Sequence, residues 1–395
     1  MTERRAVLHM GAAASAATVL GSFPGLARAT QGVSKGEIAI GSLQDLSGPI
    51  AVLGKPVQNG MILRVEQVNA AGGIHGRMLK LYVEDSGYDP KKGVLGAQKL
   101  VSSNKVFAML GTLGSVVSLS TIPLLLSKGV VSFMPITAHH GNVEPFHKLK
   151  FGMATPYQRS TELGIQEMLR RKAYKRVGIM YQDDEYGLEV YRGAQTALKA
   201  AGLSLVEKTS YKRGATEFSS QMQKLKAANC DLIVLGTIVR ETIGGMATAR
   251  KLGYTGDFFG SQAAYMPLVP LLGKGAVEGL YSVHETPTPY RDDPNNSKLL
   301  NEWMDAYKAR FGAVPDLWSA TGYLIADMFV KAATAAGPKL TTDGFVKAME
   351  SMTYPRGPFG NPEYTFGPKK HLGNSQVKLA VIRNGRWASE STFLK

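Results

Sequence analysis

Apolar positions along this chain recur with two alternating periods. Ile38 to Leu43 is a short apolar run that reads as a strand, and Ser47-Gly48-Pro49 reads as a turn. From Lys55 to Ala71 the residues Val57, Met61, Val65 and Val68 return at spacings of three and four, which predicts a helix that Gly72-Gly73 stops. Met78 to Glu84 is the next strand. Asp89-Pro90 then offers a capping acid and a proline at the first helical position, ahead of a helix over Gly93 to Ser103. Val106 to Leu110 has the continuous apolarity of a strand buried on both faces. Gly111 and Gly114 bracket a tight turn behind it, Ser115 opens an apolar helix over Val116 to Leu126, and Val130 to Met134 is a further strand.

The rhythm restarts after Phe151 to Pro156. Helices are predicted over Arg159 to Lys172, Tyr186 to Ala201, Glu217 to Ala228 and Thr242 to Leu252. They alternate with strands at Arg176 to Tyr181, Leu203 to Lys208, Asp231 to Gly236 and Asp257 to Ser261. Strands separated by helices in this way imply parallel sheets covered on both faces, an α/β class with two doubly wound parallel-sheet lobes. After Pro287 come helices at Asn296 to Phe311, Trp318 to Ala336 and Asp343 to Ser351, a Gly/Pro-rich stretch from Tyr354 to Pro368, and closing strands at Val377 to Arg383 and Trp387 to Ser389. This block has too little strand for a third lobe and is expected to return over the first sheet.

The start of the chain bears on compartment. Arg4-Arg5, a mildly apolar Ala/Gly-rich run from Met10 to Phe23 and the small-x-small site Ala27-Arg28-Ala29 read as an export signal cleaved after Ala29, twin-arginine-like, with general secretion as the alternative route. That places the mature protein in the periplasm. The remaining residues, about 366, are too many for one compact core. Cys230 is the only cysteine, so neither an intramolecular disulfide nor a cysteine metal cluster can form. The formal charge of +15 falls to about +13 without the leader, and its Lys and Arg residues are scattered along helices as on a solvated surface. A bias toward anionic solutes or membrane surfaces is the competing reading. Zinc-finger spacing and RNA-binding aromatic signatures are absent from the sequence, which argues against a nucleic-acid partner.

Candidate chemistry concentrates where strands end. The turn Gly111 to Ser115 presents a hydroxyl and unpaired helix N–H groups, an anion cradle that needs no metal. Ligands of open α/β sheets sit beyond the carboxyl ends of the strands, so this turn, Ile136 to His139, Gln182 to Gly187 and Ser261 to Tyr265 are candidates together. Asp183-Asp184-Glu185 reads as a helix cap. His139-His140 lacks any further His or acid at ligand spacing in the sequence, so no metal is expected. No catalytic residue is assigned: Ser115 lacks an identifiable base, and the chain has no Gly-x-Ser-x-Gly elbow, HExxH or Walker loop.

Taken together, Gly41 to Gly48 with its Leu-Ser-Gly-Pro, Asn69-Ala-Ala-Gly-Gly-Ile-His-Gly76, Glu84-Asp85 with Asp89-Pro90, and Gly111-Thr-Leu-Gly-Ser115 resemble the leucine/isoleucine/valine-binding type of periplasmic solute receptor. Asp183-Asp-Glu-Tyr-Gly187 and Thr216-Glu-Phe-Ser219 continue the resemblance in the second lobe. It implies a type I periplasmic binding protein: two lobes joined by a three-crossing hinge, closing over a small solute and handing it to an ABC permease in the inner membrane, with no cofactor. The implied lobes are residues 30–155 with 286–375, and residues 156–285 with 376–395. The crossings fall near Ala154 to Tyr157, His284 to Thr288 and Gly373 to Gln376. Carried over by position, Ser115 matches the hydroxyl that binds the ligand carboxylate and Ile136 matches a backbone contact. Ala138 stands where a threonine is usual, unless Thr137 supplies that donor. Tyr186 matches a cleft tyrosine and Ile238 replaces another. Gln262 stands where amino-acid receptors carry a glutamate for the ligand ammonium. A neutral amide cannot compensate a buried charge, so a carboxylate without an amine, an aromatic or aliphatic acid, or an amide suits position 262 as well as a branched-chain amino acid. His139 and Tyr265 are further contact candidates. The expected role is binding rather than catalysis; the alternative is a receptor of the same fold that reports an aromatic or aliphatic acid or amide to a signalling partner.

Overall fold

A computed structural model of the protein describes residues 30–395, so the leader read from Met1 to Ala29 lies outside the described residues. Strand β1 (Glu37–Gln44), helix α1 (Ala51–Ala70), β2 (Met78–Asp85), α2 (Pro90–Gln98), β3 (Ala108–Leu110), α3 (Ser115–Ser127), β4 (Val131–Phe133) and β5 (Lys150–Phe151) follow in chain order. Their strands form a parallel sheet in the order β2-β1-β3-β4-β5. All of β3 and β4 is buried, as a parallel sheet covered on both faces requires. Asp89 caps α2 by accepting from the Lys92 N–H at 2.9 Å, with Pro90 at the first position. Helix α1 begins a turn earlier than its periodicity predicts. The Asp45 carboxylate takes the Ile50 N–H at 2.8 Å, and Gly54 lets the Asp45 backbone approach so closely that a Cβ there would meet its carbonyl oxygen at 1.9 Å.

A second sheet is built from α4 (Tyr157–Arg171), β6 (Val177–Gln182), α5 (Glu185–Ala200), β7 (Leu205–Tyr211), α6 (Ser219–Ala227), β8 (Leu232–Gly236), α7 (Val239–Lys251), β9 (Asp257–Gly260), α8 (Leu268–Gly273) and β10 (Leu280–His284). Strand β10 escapes the pattern reading because Ser282 and His284 interrupt its apolar run. In the fold both are buried, and Ser282 Oγ donates to the Ser261 carbonyl at 2.8 Å.

The late block returns over the first sheet as expected. It comprises α9 (Lys298–Phe311), α10 (Leu317–Ala335), α11 (Thr342–Glu350) and the short paired strands β11 (Thr353–Tyr354) and β12 (Tyr364–Thr365). Phe329 of α10 and Phe345 of α11 meet Phe107 and Phe133 with ring centroids 5.5 to 6.1 Å apart. Helices α1 and α10 touch backbone to backbone: a Cβ on Gly60 would stand 2.0 Å from the Ser319 carbonyl oxygen, and one on Gly322 would stand 2.1 Å from that of Val57. The chain ends in β13 (Lys378–Arg383) and β14 (Arg386–Ser389), which extend the second sheet antiparallel beyond β10, giving the order β14-β13-β10-β9-β8-β6-β7.

The chain thus passes between the sheets three times, after β5, after β10 and before β13. Gly152 of the first crossing pairs with the third, its N–H donating to the His371 carbonyl and its carbonyl accepting from Gly373, both at 2.9 Å. The reciprocal glycine contact predicts that Gly322→Ala or Gly60→Ala costs about 1–3 kcal/mol through forced overpacking. Gly36→Ala, where nothing lies within 4 Å of an added Cβ, should change stability by less than about 0.5 kcal/mol. Urea unfolding midpoints of the three variants check this.

Candidate functional site

In each sheet the chain order reverses beside its first strand, between β1 and β3 and between β6 and β8. The carboxyl ends of these strands face each other across a cleft, the place where open α/β sheets take ligands. A cavity of ≈ 140 Å³ lies there. A second space of ≈ 490 Å³ lies on the other side of Ile50, Leu53, Tyr88 and Ile238. Ser115, Ile136, Thr137 and Ala138 line the inner cavity from the first lobe, and Tyr186, Ile238, Gln262 and Tyr265 line it from the second.

One end of the cavity is rich in donors. Helix α3 starts behind Gly114 with no side-chain cap, which leaves the N–H groups of its first turn without intrahelical partners. Gly114 has φ 92°, and a Cβ there would stand 2.4 Å from the Tyr88 ring, so glycine is required on both counts. Ser115 Oγ and Thr137 Oγ1 are 2.6 Å apart and both buried. Thr137, next to Ala138, thus places a hydroxyl beside that of Ser115. The Ala138 carbonyl instead accepts from the Tyr157 N–H at 2.6 Å. The backbone of Ile136 is engaged, its N–H donating to Thr112 at 2.9 Å and its carbonyl accepting from Gly114 at 3.2 Å. The carbonyl keeps a second lone pair, so the expected backbone contact to a solute stays open to it, and Ile136 lines the cavity. Two hydroxyls and a free helix N-terminus, with no Lys or Arg lining the cavity, suit a carboxylate held by hydrogen bonds.

The opposite end is organised by Glu285, which directly follows β10. Its Oε1 accepts from the Thr155 N–H at 2.7 Å and from Gln262 Nε2 at 2.8 Å, while its Oε2 accepts from Asn374 Nδ2 at 2.9 Å. Thr155 belongs to the first crossing, Glu285 to the second and Asn374 to the third, so one carboxyl joins all three. Burial pushes its pKa up to about 7, against the pull of its donors. Glu285 is half-buried and lines the cavity. Gln262 Oε1 is buried and has no hydrogen-bond partner.

Among the remaining candidates, Tyr186 is a wall residue with its hydroxyl spent on the Thr237 carbonyl at 2.9 Å and Ser261 Oγ at 2.7 Å. Tyr265 stacks on His284 at 4.6 Å and its hydroxyl accepts from the Thr288 N–H at 3.1 Å. His139 does not line the cavity, so the expected ligand contact there is corrected. Its Nδ1 accepts from the Gly141 N–H at 2.9 Å and its ring stacks on His140 at 4.7 Å. The fold also brings Glu189 of α5 to this pair, with ligand-type atoms of the three residues within 4.8 Å of one another. Sequence spacing gave no sign of that acid. The bond from Gly141 engages the His139 Nδ1 lone pair. The trio makes contact between lobes, with His140 Nδ1 3.0 Å from Glu189 Oε1. A second contact of this kind joins Arg213 to the Tyr88 carbonyl at 2.9 Å, its guanidinium 5.5 Å from the Tyr88 ring. The lobes are closed on each other.

A family profile described as periplasmic binding protein matches residues 37–386. The chain belongs to the periplasmic binding protein family. The Leu/Ile/Val-binding protein homolog 7 of Brucella suis is 27% identical over 339 residues, covering 82% of this chain and 81% of that protein. Among solved structures, a fatty acid ABC transporter substrate-binding protein from Thermomonospora curvata superposes with a TM-score of 0.82 at 24% identity, covering 92% of this chain and 94% of that one. A branched-chain amino acid transporter substrate-binding protein from Streptococcus pneumoniae, in complex with isoleucine, gives a TM-score of 0.77 at 20% identity over 90% and 99% of the two chains. The type I fold of two lobes inferred from the motifs is thereby shown.

In this periplasmic binding protein the motif reading found the donor end but missed Tyr88, Tyr157, Glu285, Trp318 and Tyr364, all of which line the cavity. Glu285 carried one readable signal, its place on the crossing next to a strand end. Trp318 and Tyr364 carried none, because they arrive from the late block. The raised pKa of Glu285 sets a pH dependence for the ligand-free protein. Its folded state holds a proton more tightly than the unfolded chain, so its contribution is fully present below about pH 4.5 and is lost as pH rises through about 7. The loss is on the order of 3 kcal/mol. Asp184 and Asp316, raised by burial, titrate in the same sense, and His139 and His284, lowered by burial, in the opposite one. The difference between wild type and Glu285→Gln isolates the one group. Urea unfolding from about pH 5 to pH 8 should show the wild type losing stability relative to that variant.

Proposed function

We propose that this chain is the extracytoplasmic receptor of an ABC importer, capturing a branched-chain amino acid or a related small carboxylate or amide by hinge closure and presenting the closed form to a permease in the inner membrane. One observation carries the reading: the hydroxyl pair Ser115–Thr137 lies on the first lobe and Gln262 on the second, with a cavity between them. A solute touching both ends binds the closed arrangement better than the open one, and that difference is the only way binding can drive closure. The names of the Brucella, Thermomonospora and Streptococcus proteins support a carboxylate, since fatty acids and isoleucine share that group.

Within this reading the lobes are residues 30–155 with 286–375, and residues 156–285 with 376–395. Their support is the strand assignment, β1 to β5 in one sheet and β6 to β10 with β13 and β14 in the other. Met1 to Ala29 is assigned to a cleaved export signal on its sequence. No helix of the described residues is long and apolar enough to cross a membrane. Binding without turnover agrees with the surroundings of Ser115, whose hydroxyl faces another hydroxyl and no general base.

The test is thermal unfolding of protein that has been unfolded and refolded to strip carried-over solute, against aliphatic and aromatic acids, amino acids and short amides. A ligand at about one hundred times its Kd adds roughly 2.7 kcal/mol of stability. Ser115→Ala and Thr137→Ala should each weaken binding of a carboxylate about tenfold or more, as expected for a hydrogen bond to a charged group. A panel in which no carboxylate raises the Tm, or variants that bind as wild type does, would remove the reading.

A further inference from the structure

Among the described residues, Glu285 is the only Asp or Glu lining the inner cavity, and no Lys or Arg lines it. The groups that bond it, the Thr155 N–H and hydroxyl and the side-chain amides of Gln262 and Asn374, are all neutral, and no salt-bridge partner reaches it among the described residues. Glu285 lines the cavity and is able to carry a full negative charge there with no opposite charge to offset it. Gln262, bonded to Glu285 through Nε2, holds an unpartnered acceptor in Oε1. Two adjacent acceptors, one able to carry a full charge, are uncompensated at the end of a mostly apolar pocket whose other end is built from donors. The complement of such an arrangement is a compact cation with several N–H bonds.

We propose that Glu285 selects solutes that carry a protonated amine in addition to their carboxylate, its carboxylate supplying the counter-charge that Gln262 cannot. This rests on the carboxylate-receptor reading above. It moves the ammonium site from the end of β9 to the end of the neighbouring β10, with Gln262 orienting the Glu285 oxygen and accepting a second ammonium hydrogen through Oε1. Amino acids are then preferred over their deaminated counterparts, and the preference requires Glu285 to be ionised. A role confined to bracing the hinge would affect both kinds of solute alike.

The other titratable groups facing Glu285 leave that ionisation readable. His284, beside it on β10, is held neutral, its pKa lowered by burial to about 4. Tyr364 of β12 is held protonated by burial, as is Tyr265 from the loop after β9. Thr155, Gln262 and Asn374 do not titrate. The inter-lobe pair His140–Glu189 acts on closure itself and so affects every solute equally.

The experiment is calorimetric titration of refolded, ligand-free protein with matched pairs, leucine against 4-methylpentanoate and phenylalanine against 3-phenylpropanoate, between about pH 5.5 and pH 8. Wild type should prefer the amine-bearing member at least about tenfold at pH 8, as expected for a charge-assisted contact. The preference should shrink toward about tenfold per pH unit below neutrality as Glu285 protonates. Glu285→Gln should abolish the preference while still binding the deaminated acid. Preference for the deaminated member, or a preference that stays flat with pH, overturns the proposal and leaves the carboxylate receptor standing. Binding of neither member of any pair overturns the carboxylate reading, and this proposal with it. Should Glu285→Gln fail to fold, the wild-type pH series decides alone.

Discussion

Burying a carboxyl where three chain crossings meet is unfavourable unless its oxygens are matched, and the hinge is arranged around matching those of Glu285. Thr155, Gln262 and Asn374 converge on it from two crossings and one lobe, each offering an N–H within 2.9 Å. The crossings are also tied directly, through Gly152 between His371 and Gly373. Rotation of one lobe against the other therefore has to pivot around a compact polar knot rather than around loose linkers. Because the same carboxyl opens onto the cavity, whatever occupies the cavity acts on the element that sets the angle between the lobes.

Away from the hinge, closure depends on how closely backbones approach. Gly114 gives room to the Tyr88 ring, and Tyr88 in turn carries Arg213 of the opposite lobe over its face. Gly60 and Gly322 bring α1 and α10 into backbone contact, which seats the late helical block on the first sheet and delivers Trp318 to the pocket wall. Neither contact is large, but each sets a wall of the cavity through close approach of backbone or ring.

Local patterns made the donor end of the site legible. A strand ending in glycines, a serine at the start of a helix and a second turn with Thr137 are all features of short segments, and the sheet geometry places such turns together without further information. The polar end was not legible for a specific reason. Strand β10 places Ser282 and His284 inside the sheet, so its apolar signature is broken, and the acid that follows it looks like one more residue of a connection. Position 262, compared by resemblance alone, implied a missing charge, and only the fold shows its amide bonded to the carboxyl of Glu285 beyond the next strand. His139 is the converse case. Two adjacent imidazoles near a cleft suggested a solute contact, and the turn at Gly141 drew that ring out of the cavity.

What the sequence determined by itself was the α/β class, the two lobes and the order of nearly all their elements, because period and caps act over a few residues and survive in any context. The three-dimensional structure alone decided which end of the cavity carries a carboxyl, which late residues close its walls, and which pairs join the lobes, such as His140 with Glu189. Those contacts join residues tens to hundreds of positions apart. No local pattern records them, since they exist only once packing has brought separate strands and helices to one point.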